Sequence, residues 1–109
     1  MVDSDIMRPT AEIKKVIETR LKSYISRDRT GIRREMLRLF LRIKSLTIAQ
    51  IFEALNQRFS ISYHSVAAMV GIIASRIGIL HVTRNKEGTY TIYKLKDRYS
   101  DIVVRIVGV

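Results

Sequence analysis

Two capped helix starts, Thr47 and Ser62, stand so close together that the helices they open must double back on each other within a few residues. Thr47 and Gln50 form a capping box, in which each side chain takes up an unpaired backbone N–H, and Leu46 and Ile51 occupy the N′ and N4 positions of a hydrophobic staple. Ile48, Ile51, Phe52 and Leu55 give this helix a buried face, and it ends near Arg58. Three residues later Ser62 caps another helix, with Ile61 and Val66 repeating the staple. Tyr63, Val66, Val70, Ile73 and Ile77 line one side of it at helical period. Two helices across so short a turn make a helix-turn-helix unit.

The flanking segments extend this outline. Residues 10 to 26 place Ile13, Val16, Ile17, Leu21, Tyr24 and Ile25 at helical spacing, which predicts an additional amphipathic N-terminal helix. Residues 26 to 31 break it, and Thr30 is the expected N-cap of a second helix running to about Lys44. In that helix Ile32, Met36, Leu39, Phe40 and Ile43 form one face, while Arg34, Arg38 and Arg42 recur every four residues on the other. After the helix-turn-helix unit the period changes. Residues 79 to 83 and 89 to 95 are rich in β-branched and aromatic side chains, and the polar loop between them predicts a β-hairpin with Arg84 and Lys86 at its tip. The β-branched run Ile102 to Val107 favours a short C-terminal strand over residues 101–107, with a short helix capped by Asp97 or Ser100 as the alternative. As a strand it either completes the hairpin's sheet or pairs with another subunit through an exposed edge. The fold class is therefore α+β, mostly α.

At 109 residues the chain suits one hydrophobic core, so residues 1–109 read as a single domain. The absence of cysteine removes disulfides, thiolate metal sites and cysteine nucleophiles, and the apolar runs are too short for a signal peptide or a membrane span, which leaves the cytoplasm as the expected location. No phosphate-cradling glycine loop, nucleophile motif or carboxylate pair is present, so no enzyme, cofactor or small-molecule ligand is indicated. His64 and His81 lack partners at chelating spacing, and no metal site is expected. What the composition does offer is charge: 20 Lys and Arg against 10 Asp and Glu, a net +10 that suits a polyanionic partner.

Residues 31 to 95 resemble a winged helix-turn-helix domain, with a helix, two helices across a short turn, and a hairpin with a basic tip. The correspondence is closest in ISYHSVAAMVGIIASRIGIL, where Ser65, Val66, Val70, Ile73, Gly78, Ile79 and Leu80 fill the positions of the family's third helix and its entry into the wing. The stretch is similar to many archaeal and bacterial regulators, including the ferric-uptake-regulator type, and points to a small archaeal family. The metal ligands of that regulator type have no counterpart here. The resemblance implies double-stranded DNA binding, with the third helix in the major groove and the wing near the backbone or minor groove. Carried over by position, Ser62, His64 and Ser65 meet bases or phosphates, and Arg84 and Lys86 are wing contacts. The helix start at Thr47 offers N–H groups to a phosphate.

With Val66 turned to the core, the third helix presents His64, Ala68, Gly71 and Ser75 outward, with Ile72 beside them. Direct base readout favours Arg, Asn or Gln, so this small-residue face implies weak sequence discrimination. It enters a DNA groove closely and leaves affinity to phosphate contacts, or it packs against another helix in a protein interface. The expected function is weakly specific double-stranded DNA binding by a homodimeric transcriptional regulator, with Arg34 and Arg38 of the basic stripe joining the DNA contacts. The alternative is a protein-interaction or dimerisation module on the same scaffold, with the third helix buried.

Overall fold

The computed structural model describes residues 11–108; residue 10, the expected first residue of the N-terminal helix, lies outside them. The chain runs through α1 (Ala11–Ser26), α2 (Ile32–Arg42), α3 (Ile48–Asn56) and α4 (Tyr63–Ile72), the last continued by a π-type turn over Ile73–Ile77. A hairpin follows, β1 (Leu80–Arg84) and β2 (Thr91–Leu95), then a short 3₁₀ turn (Asp97–Tyr99) and α5 (Ser100–Val107). The class is α+β and mostly helical, as expected, and the buried side chains of every helix and the hairpin form one continuous cluster. Among the described residues no helix is long and apolar enough to cross a membrane.

In α1 the buried face is narrower than its apolar pattern suggested. Ile17, Leu21, Tyr24 and Ile25 reach the core, whereas Ile13 and Val16 stay 42% and 47% exposed. At the start of α2 the expected cap, Thr30, is displaced by Asp28. The Asp28 carboxylate accepts from the Gly31, Arg33 and Arg34 N–H groups, each at 3.1 Å, while Thr30 Oγ1 lies 3.4 Å from the Ile32 nitrogen. A charged group with two oxygens satisfies several orphan donors and favours the positive end of the helix dipole, which a hydroxyl does not match. The helix stops at Arg42, short of Lys44, because Ile43 turns extended (φ −120°, ψ 124°). That extension carries Leu46 alongside β2, where it exchanges two backbone hydrogen bonds with Tyr93, at 2.9 and 2.8 Å.

The helix-turn-helix segment follows its sequence signals. Thr47 Oγ1 accepts from the Gln50 N–H at 3.2 Å, and Gln50 Oε1 accepts from the Thr47 N–H at 2.8 Å. Ser62 Oγ accepts from the Ser65 N–H at 3.1 Å to start α4. Val66, Val70, Ile73 and Ile77 are buried, but Tyr63, read as part of that stripe, is 51% exposed and sets its ring 5.7 Å from Phe52. Gly78 (φ 83°) ends the π turn in a left-handed conformation that favours glycine and redirects the chain into β1. The strands pair antiparallel from Leu80 opposite Leu95 to Arg84 opposite Thr91.

The expected C-terminal strand is instead a helix. Tyr99, Ile102, Val103 and Val107 are buried, and with Ile106 they recur at the three- and four-residue spacing of a helical face. Packing of that face against α1 and α2 outweighs the strand preference of its valines and isoleucines. Residues 101–107 therefore offer no edge for pairing with another subunit, and the position beside β2 belongs to Leu46. Arg38 Nη2 donates to the Val107 and Gly108 carbonyls at 2.7 and 3.3 Å, and Arg105 reaches Glu18 at 3.0 Å. Lys22, helped by Arg105, holds the Glu18 carboxyl below its ordinary pKa.

One buried group has no partner among the described residues: the Tyr24 hydroxyl. Burial pushes its pKa up to about 12 against the opposing Arg33 guanidinium, with Asp28 adding to the rise. The unfolded phenol ionises first, so the neutral form's contribution is complete below pH 10 and is lost as pH climbs towards 12. An orphaned buried hydroxyl is destabilising, and Tyr24→Phe is expected to raise stability by about 1 kcal/mol in urea titrations at neutral pH. Spectrophotometric titration of the variant is expected to lack the latest-ionising phenol.

Candidate nucleic-acid interface

The starts of α3 and α4 and the loop-side half of β2 open onto one groove. Its walls include Thr47 and Gln50 from the capping box, Tyr63 from α4, and Thr89, Tyr90 and Tyr93 from the hairpin, around a volume of about 540 Å³. No charged side chain lines it. The capping box satisfies the Thr47 and Gln50 N–H groups, so the N–H groups of Ile48 and Ala49, in the first turn, remain available to an outside acceptor. Tyr63 and Tyr90 line the same groove and are each 51% exposed, and tyrosine is among the residue types that contact phosphate and sugar without reading sequence.

Along α4 from this groove, His64, Ala68, Gly71 and Ser75 are all exposed, while Ile72 is half-buried. The face is open in the single chain. A Cβ placed on Gly71 would meet nothing within 4 Å, so no internal contact requires its smallness. Hydrogen-bonding capacity on this face is small. Ser75 Oγ donates back to the Gly71 carbonyl at 2.7 Å, and the Ser62 and Ser65 hydroxyls lie 3.0 Å apart within the cap. Of the residues expected at the groove, His64 alone is left with a side chain suited to bidirectional contact with bases.

The hairpin tip is held by Asn85. Its Nδ2 donates to Glu87 Oε1 at 2.9 Å and Thr89 Oγ1 at 2.8 Å, and its Oδ1 accepts from the Tyr90 N–H at 2.9 Å. Arg84 Nη1 donates to the Gly88 carbonyl at 2.7 Å, leaving part of its guanidinium outward, and Lys86 is exposed. The two expected wing cations therefore stand at the end of β1 and in the loop that follows, although Glu87 offsets part of their charge.

The arginine stripe of α2 does not join them. Arg38 is occupied with the last carbonyls of α5, and Arg38, Arg42 and Arg58 surround the Glu35 carboxylate at 3.6, 3.5 and 3.4 Å. Arg34 faces a depression shared with Glu18, Lys22 and Arg105. These positions were expected to track phosphate because they fall opposite the apolar face of α2. That reading overlooked α5, whose last carbonyls engage Arg38, and Glu35, which pairs with Arg42 on the same helix. Sequence reasoning also missed a second set of cations. Arg20 of α1, Arg27 just after it and Arg76 of the π turn line one groove beside Ile72, brought together by packing between segments some fifty residues apart.

The chain belongs to a family described as a protein of unknown function (DUF2551), whose model matches residues 21–103, from within α1 into the first turn of α5. It is 44% identical over 92 residues to an uncharacterized protein of Archaeoglobus fulgidus, a match that covers 84% of this chain and 92% of that protein. An archaeal relative agrees with the archaeal resemblance of the third helix. No solved structure matches the chain.

Proposed function

We propose that this protein is a winged helix-turn-helix DNA-binding protein of weak sequence preference, acting in regulation of transcription. The observation that carries the reading is the groove that the starts of α3 and α4 share with the hairpin loop and β2. In this reading the helix N-terminus at that groove meets a phosphate, the smooth outward face of α4 enters a major groove, and the cationic hairpin turn lies alongside. In this reading Ala68 and Ile72 meet apolar groove surface such as thymine methyls, His64 supplies the little base discrimination there is, and Arg84 and Lys86 hold the backbone. Arg34 and Arg38 take no part.

Fluorescence anisotropy with duplex DNA at several salt concentrations tests it. Affinity is expected to fall steeply as salt rises, because bound cations release counterions from the duplex. Arg84→Ala with Lys86→Ala is expected to weaken binding to all sequences alike and to flatten the salt dependence by about one to two counterions, whereas His64→Ala changes the ranking of sequences. Absence of binding at low salt, or an affinity indifferent to salt, contradicts the proposal.

A further inference from the structure

The groove between α1 and the π turn has a different chemistry from the hydroxyl-lined one. Its volume is about 370 Å³, and Arg20, Arg27 and Arg76 line it with no acidic residue among the lining groups. None of the three has an ion-pair partner among the described residues, although Glu18, Glu35 and Asp101 elsewhere on the surface each hold at least one Lys or Arg. Uncompensated guanidiniums in one concavity raise the local potential and suit a polyanion, and their planar forks match phosphate oxygens. The rest of the lining sets the Thr19 and Ser23 hydroxyls beside apolar side chains: Ile77 is buried, Ile72 half-buried, and the Tyr24 ring packs under the Arg33 guanidinium at 4.5 Å. Tyr24 also carries the one buried hydroxyl without a partner among the described residues. The π turn itself is a departure from regular helix of a kind that concentrates at functional sites.

We infer that this groove binds an organic polyphosphate of nucleotide size, with its phosphates on Arg20, Arg27 and Arg76 and its organic part on Ile72, Ile77 and Tyr24. The volume lies within the range of small-molecule sites. A bare DNA strand would use the arginines and leave the apolar bed empty; a nucleoside diphosphate uses both. The ligand would tie α1 to the segment that continues α4. The inference does not depend on DNA binding, since the site is complete in the protein alone.

Isothermal titration of the full chain with ADP, pyrophosphate and adenosine tests it without DNA present. ADP is expected to bind saturably, pyrophosphate at least about ten-fold more weakly and adenosine more weakly still, because each half of the ligand supplies only part of the contact. Arg20→Ala combined with Arg76→Ala is expected to lower ADP affinity at least ten-fold, whereas Arg42→Ala, which alters a cation already paired with Glu35, leaves it unchanged. All three side chains are exposed, and circular dichroism of the variants is expected to match the parent. No saturable ADP binding at millimolar concentration, or ADP binding indifferent to the arginine pair, overturns the inference. So does a result in which the pair weakens duplex DNA binding alone, which would give these arginines to a DNA strand.

Discussion

Ala68→Glu is expected to lower duplex DNA affinity by about 30-fold or more while leaving thermal stability nearly unchanged. Ala68 is exposed in the middle of α4, between His64 and Gly71, with no hydrogen-bonding role to lose. Glutamate is a good helix former, so the change in folding free energy should stay within about 0.5 kcal/mol. Against a DNA groove the same carboxylate faces two rows of phosphates, and like-charge juxtaposition at an interface costs several kcal/mol. Ala68→Gln separates charge from bulk: it is nearly the same size but neutral, and should cost far less. If both substitutions leave affinity alone, α4 does not enter the groove, and DNA binding would have to come from elsewhere on the molecule. Anisotropy at fixed low salt, with melting temperatures measured in parallel, gives both readouts.

The second large effect concerns stability. Asp28→Ala is expected to cost about 2 kcal/mol, roughly 8–10 °C in melting temperature for a domain of this size. The substitution removes the acceptor for three backbone N–H groups at the start of α2, all at 3.1 Å and partly buried. Asp28→Asn keeps one carbonyl oxygen and should lose about half as much. Thr30→Ala is the contrast, expected within about 0.5 kcal/mol because its hydroxyl makes only a long, exposed contact. Equal costs at positions 28 and 30 in urea unfolding would show that the helix is capped differently.

The particular residues show why some of this molecule was legible in its sequence and some was not. Capping at Thr47 and Ser62 is local: donor and acceptor lie within three residues, so the pattern carries the geometry with it. The hairpin is similarly local, since its loop is closed by Asn85 and Gly88 themselves. Asp28 was passed over because the N–H groups it caps lie three, five and six residues further on, at Gly31, Arg33 and Arg34, an offset the usual cap pattern does not describe. The tail was misread because β-branched content and helical spacing disagreed. Its neighbours decided the matter, and α1 and α2 lie more than sixty residues upstream of the bonds they make with it.

The candidate site divides along the same line. Ser62, His64, Ser65 and Thr47 could be placed because two adjacent helices fix them, and Arg84 and Lys86 because a short loop does. The arginines defeated the reading in both directions. Arg38 and Arg42 looked free and are engaged: Arg38 by the end of α5, which only tertiary packing brings to it, and Arg42 by Glu35, seven residues earlier on the same helix. Arg20, Arg27 and Arg76 looked unremarkable and converge, because the distance between α1 and the π turn is invisible in one dimension. Net charge alone thus gave no guide to where on the molecule the cations would gather.

The most direct test of the proposed interface is to map backbone amide chemical shifts while duplex DNA is added at low salt. The largest changes are expected at residues 48–50, 62–75 and 84–90, which form the α3 start, the open face of α4 and the hairpin tip. Changes confined to α2 and α5 around Arg34, Arg42 and Arg105, or none at all at DNA concentrations that saturate other binding signals, would contradict it.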